Sequence, residues 1–181
     1  ITGLCGGEYF VTVIDANGCE IEVDVFVDYL IPDGWEVQKI HNVLQLGYGK
    51  ALQQEKRIDG EFPVYGSSGI VGKHNSPLIK GPGIILGRKG NVGSIYWSHK
   101  DFFPIDTVFY VKSHYPMHFI FNLLKTLDFD DADTAVPGLN RDSVHDMKFL
   151  VPDHSSIDKF ENNTKNLLKL DSILDEQLTT L

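Results

Sequence analysis

The stretch FPVYGSSGIVGKHNSPLIKGPGIILGRKGNVGSIYW, residues 62–97, places short apolar runs between glycines and prolines. The runs FPVYG, GIVG, GIILG and GSIYW are too short for helices and are bounded by residues that favour turns. TVFYV at residues 107–111 has the same character. The pattern predicts short strands in a strongly curved mixed sheet, with long loops between the strands.

Helical spacing begins after these strands. Apolar residues recur at that spacing in HFIFNLLKTLDF, residues 118–129, and those on one side are Ile120, Leu123, Leu124 and Leu127. A loop begins at residue 130 and ends in a short strand at residues 148–151. The predicted fold class is therefore α/β, of the α+β kind, with a few helices.

The C-terminal segment has a heptad pattern that is typical of a coiled-coil helix. The proposed dimerisation residues along its seam are Ile157, Phe160, Leu167, Leu174, Leu178 and Leu181. Ser155 and Asp158 resemble a capping box at its start. Thr164 and Asp171 weaken the seam, so packing of this helix against the preceding domain is the alternative.

The N-terminal segment predicts a β-hairpin. Residues 8–28 alternate with period two on both sides of Asn17-Gly18, and this pair suits a tight turn. GGEYFVTVIDANGCEIEVDV, Gly6 to Val25, resembles one unit of the short repeats in surface adhesins of gliding bacteria. We place a boundary in IPDGWE, residues 31–36, because these residues favour turns.

The predicted organisation has three segments. Residues 1–28 form a hairpin appendage, residues 30–152 a central domain, and residues 153–181 a dimerisation helix. The length of 181 residues suits one such domain with an appendage. No apolar run is long enough to cross a bilayer, and two cysteines supply no disulfide framework, so we expect a cytoplasmic protein without a membrane partner.

The charge distribution leaves room for a nucleic-acid partner despite a net charge of −9. Residues 1–28 carry six acids and no bases, and residues 153–181 carry six acids against three bases. Residues 44–100 hold eight Lys and Arg against three Asp and Glu. One face of the central domain can therefore meet phosphate.

The sequence offers no set of residues that indicates catalysis. Pro116 stands between His114 and His118 and disrupts the helical turn that a metal-binding pair requires. LGYGKAL, residues 46–52, lacks the first glycine and the Ser or Thr of a phosphate-binding P-loop. The acids between residues 128 and 133 are typical of a solvated loop. We predict no catalytic residue, no metal site and no cofactor.

The glycine-rich stretches instead suggest a recognition surface. Glycine allows close approach of a backbone, and side chains such as Ser68, Asn91 and Arg88 can bond to base edges or phosphates. The alternative is that YGSSG and RKGNVG are only tight turns with basic residues on the surface. Residue types and spacing alone do not separate the two.

Several motifs in consecutive order carry a family resemblance. They are the stretch at residues 62–97, then PIDT at 104–107, LLKTLDF at 123–129, AVPGLNR at 135–141, and the heptad helix. Together they resemble the target recognition domain of the DNA specificity subunit of type I restriction-modification enzymes. The resemblance implies an α/β domain that reads half of a two-part site in double-stranded DNA, and a helix that pairs with a second such helix.

The resemblance also implies the partners and the site residues. The partners are methyltransferase (modification) and restriction subunits, which carry the chemistry, and a second recognition domain or a homodimer joined through the C-terminal helix. The DNA-binding candidates are Lys50, Tyr65, Ser67, Ser68, Lys73, His74, Arg88, Lys89, Asn91, Asn140 and Arg141. For Asp106 and Arg141 a supporting role in the fold is the alternative.

The resemblance thus implies sequence-specific DNA recognition by a non-catalytic specificity subunit. One alternative is an extracellular adhesion or interaction module, for which the hairpin is the main indication. The other is a nuclease fragment that uses acids such as Asp106 and Asp146 with Lys148.

Overall fold

The computed structural model describes residues 7–27, 31–129 and 138–164. The chain divides into two compact units, Ile1–Glu36 and Val37–Leu181. The described part of the first unit contains an antiparallel hairpin of strands β1 (Gly7–Ile14) and β2 (Glu20–Val27).

The hairpin turn forms where the sequence predicts it. Gly18 has a φ of 85°, and the Asp15 carboxylate accepts hydrogen bonds from the main-chain N–H groups of Asn17 and Cys19. The N–H of Cys19 contributes most to holding the pKa of Asp15 below its usual value. Val11 lies opposite Val23 and Val13 opposite Ile21, so apolar residues of both strands share one face of the hairpin.

From residue 36 onward the described chain contains short strands, two 3-10 helices (Ile40–Asn42 and Gln54–Lys56) and three α-helices. The strands are β3 (Glu36–Lys39), β4 (Leu44–Tyr48), β5 (Phe62–Gly66), β6 (Gly69–His74), β7 (Gly83–Gly87), β8 (Ile95–Ser98), β9 (Phe103–Pro104), β10 (Val108–Ser113) and β11 (Lys148–Val151). The helices are α1 (Met117–Leu124), α2 (Arg141–Asp146) and α3 (residues 154–164). The fold class is the predicted one, a mixed α/β domain with many short strands.

The central sheet has the order β4-β10-β7-β8, and all its pairs are antiparallel. Strand β7 is buried along its whole length. Ile84 and Leu86 pack in the larger core with α1, whereas Ile85 packs in a second core with Phe102 and Val108. Burial on both faces explains why GIILG is a continuous apolar run without alternation.

The remaining strands form smaller sheets beside the central one. Strand β5 pairs antiparallel with β6 and parallel with β9, and β11 pairs with β3. The sheet that contains β5 is therefore mixed, as predicted, but the strands are distributed over separate sheets within the described residues. The pairing of β5 with β9 is non-local, and the local sequence pattern does not specify it.

Helix α1 ends earlier than the sequence predicts. The spacing predicted a helix over residues 118–129, but α1 stops at Leu124 and a turn follows. The hydroxyl of Thr126 donates to the carbonyl of Leu123 at 2.7 Å, which competes with continuation of the helix. Ile120 and Leu124 are fully buried, so the predicted apolar side does face the core.

Helix α2 lies in a segment that was predicted to be a loop, and that prediction was wrong. The segment has one buried residue, Val144, and therefore no apolar periodicity. The side chain of Asn140 accepts hydrogen bonds from the N–H groups of Asp142 at 2.8 Å and Ser143 at 3.4 Å. This N-cap stabilises a helix of only six residues.

Helix α3 packs against the domain at its start. Ile157 is buried in the larger core, and the ring of Phe160 meets that of Phe119 at a centroid distance of 6.4 Å. A carboxylate oxygen of Glu161 accepts a hydrogen bond from the N–H of Phe119 at 3.1 Å. Leu167, Leu174, Leu178 and Leu181 lie outside the described residues, so the coiled-coil seam stays a prediction.

The cap of α3 differs from the predicted capping box. Asp153, and not Ser155, accepts from the N–H of Ser156 at 3.0 Å and from its hydroxyl at 2.7 Å. Hydrogen bonds from Ser155 and Ser156 hold the pKa of Asp153 far below its usual value. In the part of the chain that the structure describes, no helix has the length and apolar character needed to cross a membrane.

Replacement of Leu124 by Ala should lower the free energy of unfolding by about 2–5 kcal/mol, because it leaves a cavity where α1 meets the central sheet. Equilibrium unfolding in urea measures this change. Ile58→Ala is the control, since Ile58 is 61% exposed and its truncation should cost less than about 0.5 kcal/mol. Equal losses in the two variants would contradict the described core.

Candidate nucleic-acid interface

One end of the central sheet gathers several of the predicted binding residues. Strand β4 ends at Tyr48 and β7 ends at Gly87, and these residues pair with Phe109 and Val108 at the start of β10. Three chain segments meet at this end of the sheet. They are the segment after β4, which contains Lys50, the loop at residues 88–94 after β7, and the segment before β10. Antiparallel pairing therefore brings together side chains that are distant in sequence.

The loop at residues 88–94 is a compact turn held by its main chain. The N–H of Gly87 donates to Ser94 O at 2.7 Å, and the N–H of Gly93 donates to Gly87 O at 3.0 Å. Gly90 and Gly93 have φ values of 78° and 74°, which favour glycine. A side chain at position 87 would collide with the carbonyl of Asn91. The glycines of GRKGNVG thus set the shape of the loop.

The two glycine-rich stretches touch each other. The Ser94 hydroxyl donates to Ser67 O at 2.7 Å, and the Asn91 amide reaches the Ser68 hydroxyl at 3.5 Å. Ser67 is buried, so its described role is structural, whereas Ser68 and Asn91 are exposed. The turn between β5 and β6 therefore presents Ser68 beside Asn91.

Arg88 is held by the segment PIDT. The N–H groups of Arg88 and Lys89 both donate to Thr107 O, at 2.9 and 3.1 Å. The Nη1 atom of Arg88 donates to the main-chain carbonyl of Asp106 at 3.3 Å. Arg88 is partly exposed and Lys89 is exposed, so both side chains are available at the surface.

The segment PGLNR adjoins the same place. The N–H of Leu139 donates to Arg88 O at 2.8 Å, and Leu139 itself is buried. Asn140 caps α2, and Arg141 is the first residue of that helix. The guanidinium carbons of Arg88 and Arg141 lie 5.0 and 5.2 Å from the ring centroid of Tyr48.

We define the loop-end cluster as the surface residues collected here. They are Tyr48, Lys50, Ser68, Arg88, Lys89, Asn91, Asn140 and Arg141. Tyr48 was missed by the sequence analysis, although its position between Gly47 and Gly49 in front of Lys50 is a signal for an aromatic residue in a turn. Lys50 is exposed, and its N–H donates to Pro104 O at 3.0 Å.

Three predicted residues lie elsewhere. Tyr65 is 6% exposed and packs edge-on against Phe102 in the second core. Lys73 and His74 are at the opposite end of the β5–β6 hairpin from Ser68, a separation of about 13 Å or more at about 3.3 Å per residue. The Nδ1 atom of His74 accepts from the N–H of Ile58, whereas Lys73 is exposed.

His145 fixes α2 against β4. Its Nε2 atom accepts a hydrogen bond from the N–H of Leu46 at 3.2 Å, which requires the unprotonated nitrogen. Burial lowers the pKa of His145, and the positive charge of Arg141 lowers it further. Lys39 and Asp146 form an exposed ion pair at 2.7 Å at the end of the same helix. The contact of His145 holds α2, which begins at Arg141, beside β4, which ends at Tyr48.

The described ranges contain no cluster of three or more His, Cys, Asp or Glu side chains arranged to hold a metal ion.

The ring of His118, in α1, stacks against the ring of Trp97, and the two ring centroids are 4.1 Å apart.

The sequence matches one protein family over most of its length. The matching family is described as the type I restriction modification DNA specificity domain, and the match covers residues 32–171. No curated protein matches the chain.

Solved structures share the fold. The S subunit of the type I restriction-modification system of M. genitalium has a TM-score of 0.60 at 18% identity, over 82% of this chain and 45% of that one. The HsdS subunit of Thermoanaerobacter tengcongensis has a TM-score of 0.58 at 11% identity, over 81% and 40%. A structure of type I R-M complex assembly and conformational transition gives 0.61 at 10%, over 82% and 42%. The chain therefore spans less than half the length of these proteins.

Removal of the Asn140 cap should destabilise the fold modestly. Asn140→Ala should lower the free energy of unfolding by about 1 kcal/mol, because the N–H groups of Asp142 and Ser143 lose their acceptor. Asn140→Asp keeps that acceptor and should retain nearly all of the stability. Urea unfolding, with hydrogen exchange at the two amides, measures both. Equal stability of the Ala variant and the wild type would contradict the capping role.

Acid should weaken the attachment of α2. In the unfolded chain His145 has a pKa of about 6.5, and in the folded chain its pKa is lower. Between the two values the unfolded chain binds more protons, so the free energy of unfolding should fall as pH drops below about 6.5. His145→Gln should show a smaller fall between pH 7.5 and 5.5 in urea titrations. A fall of unchanged size in this variant would refute the contribution of His145.

Proposed function

The chain belongs to the family of type I restriction modification DNA specificity domains, and from this premise we propose that residues 30–152 read one half of a bipartite site in duplex DNA. The observation that carries the proposal is the loop-end cluster, where two arginines and two lysines from separate parts of the chain meet exposed hydrogen-bonding side chains. Such a surface can position phosphates and contact base edges.

The distribution of charge supports this use of the surface. Residues 44–100 carry an excess of basic residues, although the whole chain has a net charge of −9. Arg88 and Lys89 lie in this range, and Lys50 leaves the same end of the sheet. The acids near both chain ends keep the total negative while this one surface stays basic. DNA binding should therefore be local to this surface and sensitive to salt.

The bond-making steps belong, in this proposal, to partner subunits. Methyl transfer is carried out by modification subunits and cleavage by restriction subunits, and this chain supplies only the sequence recognition. The proposal places the complex in the cytoplasm, where the DNA of a bacterial cell lies. In this proposal residues 1–28 are an appendage. If the chain instead acts in adhesion or interaction, which is the alternative function, it should not bind duplex DNA.

The C-terminal helix is proposed to join this domain to a second one. Ile157 and Phe160 pack on the domain, so pairing with a second helix would rely on the later seam residues, Leu167, Leu174, Leu178 and Leu181. The second helix comes either from another recognition domain or from a second copy of this chain. The same helices are proposed to dock the methyltransferase subunits.

Replacement of Arg88 or Arg141 by Ala should weaken binding to the selected duplex by about 1–3 kcal/mol. The site is first selected from random duplexes by the full chain assembled with its modification subunit. Fluorescence anisotropy then measures affinity at several salt concentrations, since loss of a phosphate contact also reduces the salt slope by about one.

Lys125→Ala is the matched control for charge. Lys125 lies over the ring of Phe121 on α1, outside the loop-end cluster, and its loss should leave affinity nearly unchanged. Lys73→Ala tests whether the DNA contact extends down the β5–β6 hairpin. An equal loss in the Lys125 and Arg88 variants, or no salt-dependent binding by the wild type, would contradict the proposed function.

A further inference from the structure

Tyr48 is contacted by two arginines that come from different parts of the fold. The residue is 47% exposed and lies at the end of β4. The guanidinium groups of Arg88, at the end of β7, and of Arg141, in α2, both lie over this ring, at 5.0 and 5.2 Å from its centroid. These distances are within the range of attractive cation–π contacts.

This arrangement brings like charges together on an exposed aromatic ring. Two guanidinium groups repel each other, and the repulsion has to be offset by the ring, by nearby acids or by a bound partner. Asp142 offsets part of the charge of Arg141, since its carboxylate lies 3.3 Å from Arg141 Nε. Asp106 offers Arg88 a main-chain carbonyl, which carries no net charge. A bound partner with electron-rich acceptor atoms would offset the remaining positive charge of the two arginines.

The two guanidinium groups also have more N–H donors than their described hydrogen bonds use. A guanidinium group carries five N–H donors. The carbonyl of Asp106 engages Nη1 of Arg88, and Asp142 engages Nε of Arg141. Each of these bonds takes one nitrogen of its group. The other nitrogens provide donors for two parallel hydrogen bonds to a single partner.

We propose that Tyr48 is a positioning residue that holds Arg88 and Arg141 for the recognition of guanine in the major groove. Guanine presents O6 and N7 there as adjacent acceptors, and arginine pairs with both at once. A guanidinium group held over an aromatic ring is already oriented, so fewer of its conformations are lost on binding. This inference rests on the proposed DNA recognition and adds the base class that the loop-end cluster reads.

The geometry also limits the spacing of the guanines. The two guanidinium carbons are separated by no more than the sum of their distances from the Tyr48 centroid. That sum equals about three base-pair steps of about 3.4 Å. The half-site should therefore contain two guanines, on either strand, within about three base pairs of each other.

The experiment selects binding sites from random duplexes with the full chain assembled with its modification subunit. The wild type should enrich guanine at two positions. Arg88→Ala should relax one position and Arg141→Ala the other, each by about tenfold in preference. Tyr48→Leu should relax both positions with an unchanged salt slope, whereas Tyr48→Phe, which keeps the ring, should preserve both preferences.

A base analogue provides a test that does not depend on the folding of a variant. Substitution of 7-deazaguanine removes the N7 acceptor, so at each selected guanine it should weaken wild-type binding by about tenfold. In Arg88→Ala the same substitution should have little effect at the position that this arginine reads. Thermal unfolding checks that Tyr48→Leu is folded, because Tyr48 also contacts Phe109 at a centroid distance of 5.1 Å.

The outcomes separate this inference from the proposed function. If the wild type selects a site that lacks guanine, or if 7-deazaguanine has no effect on the wild type, the inference is wrong while DNA recognition stands. Loss of preference in Tyr48→Phe equal to that in folded Tyr48→Leu would also overturn it. If the wild type selects no site at all, the proposed function itself fails.

Discussion

Burial of β7 on both faces is the constraint on which the domain depends. Ile84 and Leu86 face one core and Ile85 faces the other, so a shift of this strand by one residue would move each set into the other core and disrupt the packing of both. Because β7 leads directly into the loop at residues 88–94, its fixed register also fixes where Arg88 leaves the sheet. The position of Arg88 in the loop-end cluster is thus set by packing and by hydrogen bonds to Thr107 and Leu139.

The strands were predictable because glycine and proline mark the limits of each apolar run, and this information is local. GIILG and FPVYG became β7 and β5 as expected. The division into separate sheets was not predictable, since the parallel pairing of β5 with β9 joins segments about forty residues apart. Helix α2 escaped prediction for another reason. Its formation depends on the cap at Asn140 and on the contact of His145 with Leu46, and neither produces a periodic pattern.

The candidate site was predicted in its residue types better than in its geometry. Arg88, Lys89 and Asn91 were predicted because glycine-rich turns with basic residues are recognisable in a sequence, and their role in binding stays a prediction. Nothing local distinguishes Lys73 from Lys89, although Lys73 lies at the far end of the β5–β6 hairpin and Lys89 lies in the loop that contacts the turn of this hairpin. Tyr65 and Ser67 are polar residues that became buried, which only the packed structure reveals. Tyr48 gains its significance from Arg88 and Arg141, which are remote in sequence and close in space.

The joint at the start of α3 has a mechanical consequence. Ile157 and Phe160 insert into the domain, and the Glu161 carboxylate binds the N–H of Phe119 in α1. The direction of any helix that continues from this point depends on the few side chains that attach it to the domain. A helix of about 20 residues is about 30 Å long, so a tilt of a few degrees at the base displaces its far end by a few ångströms. In such a helix, the contact at Glu161 would set the alignment of the far end.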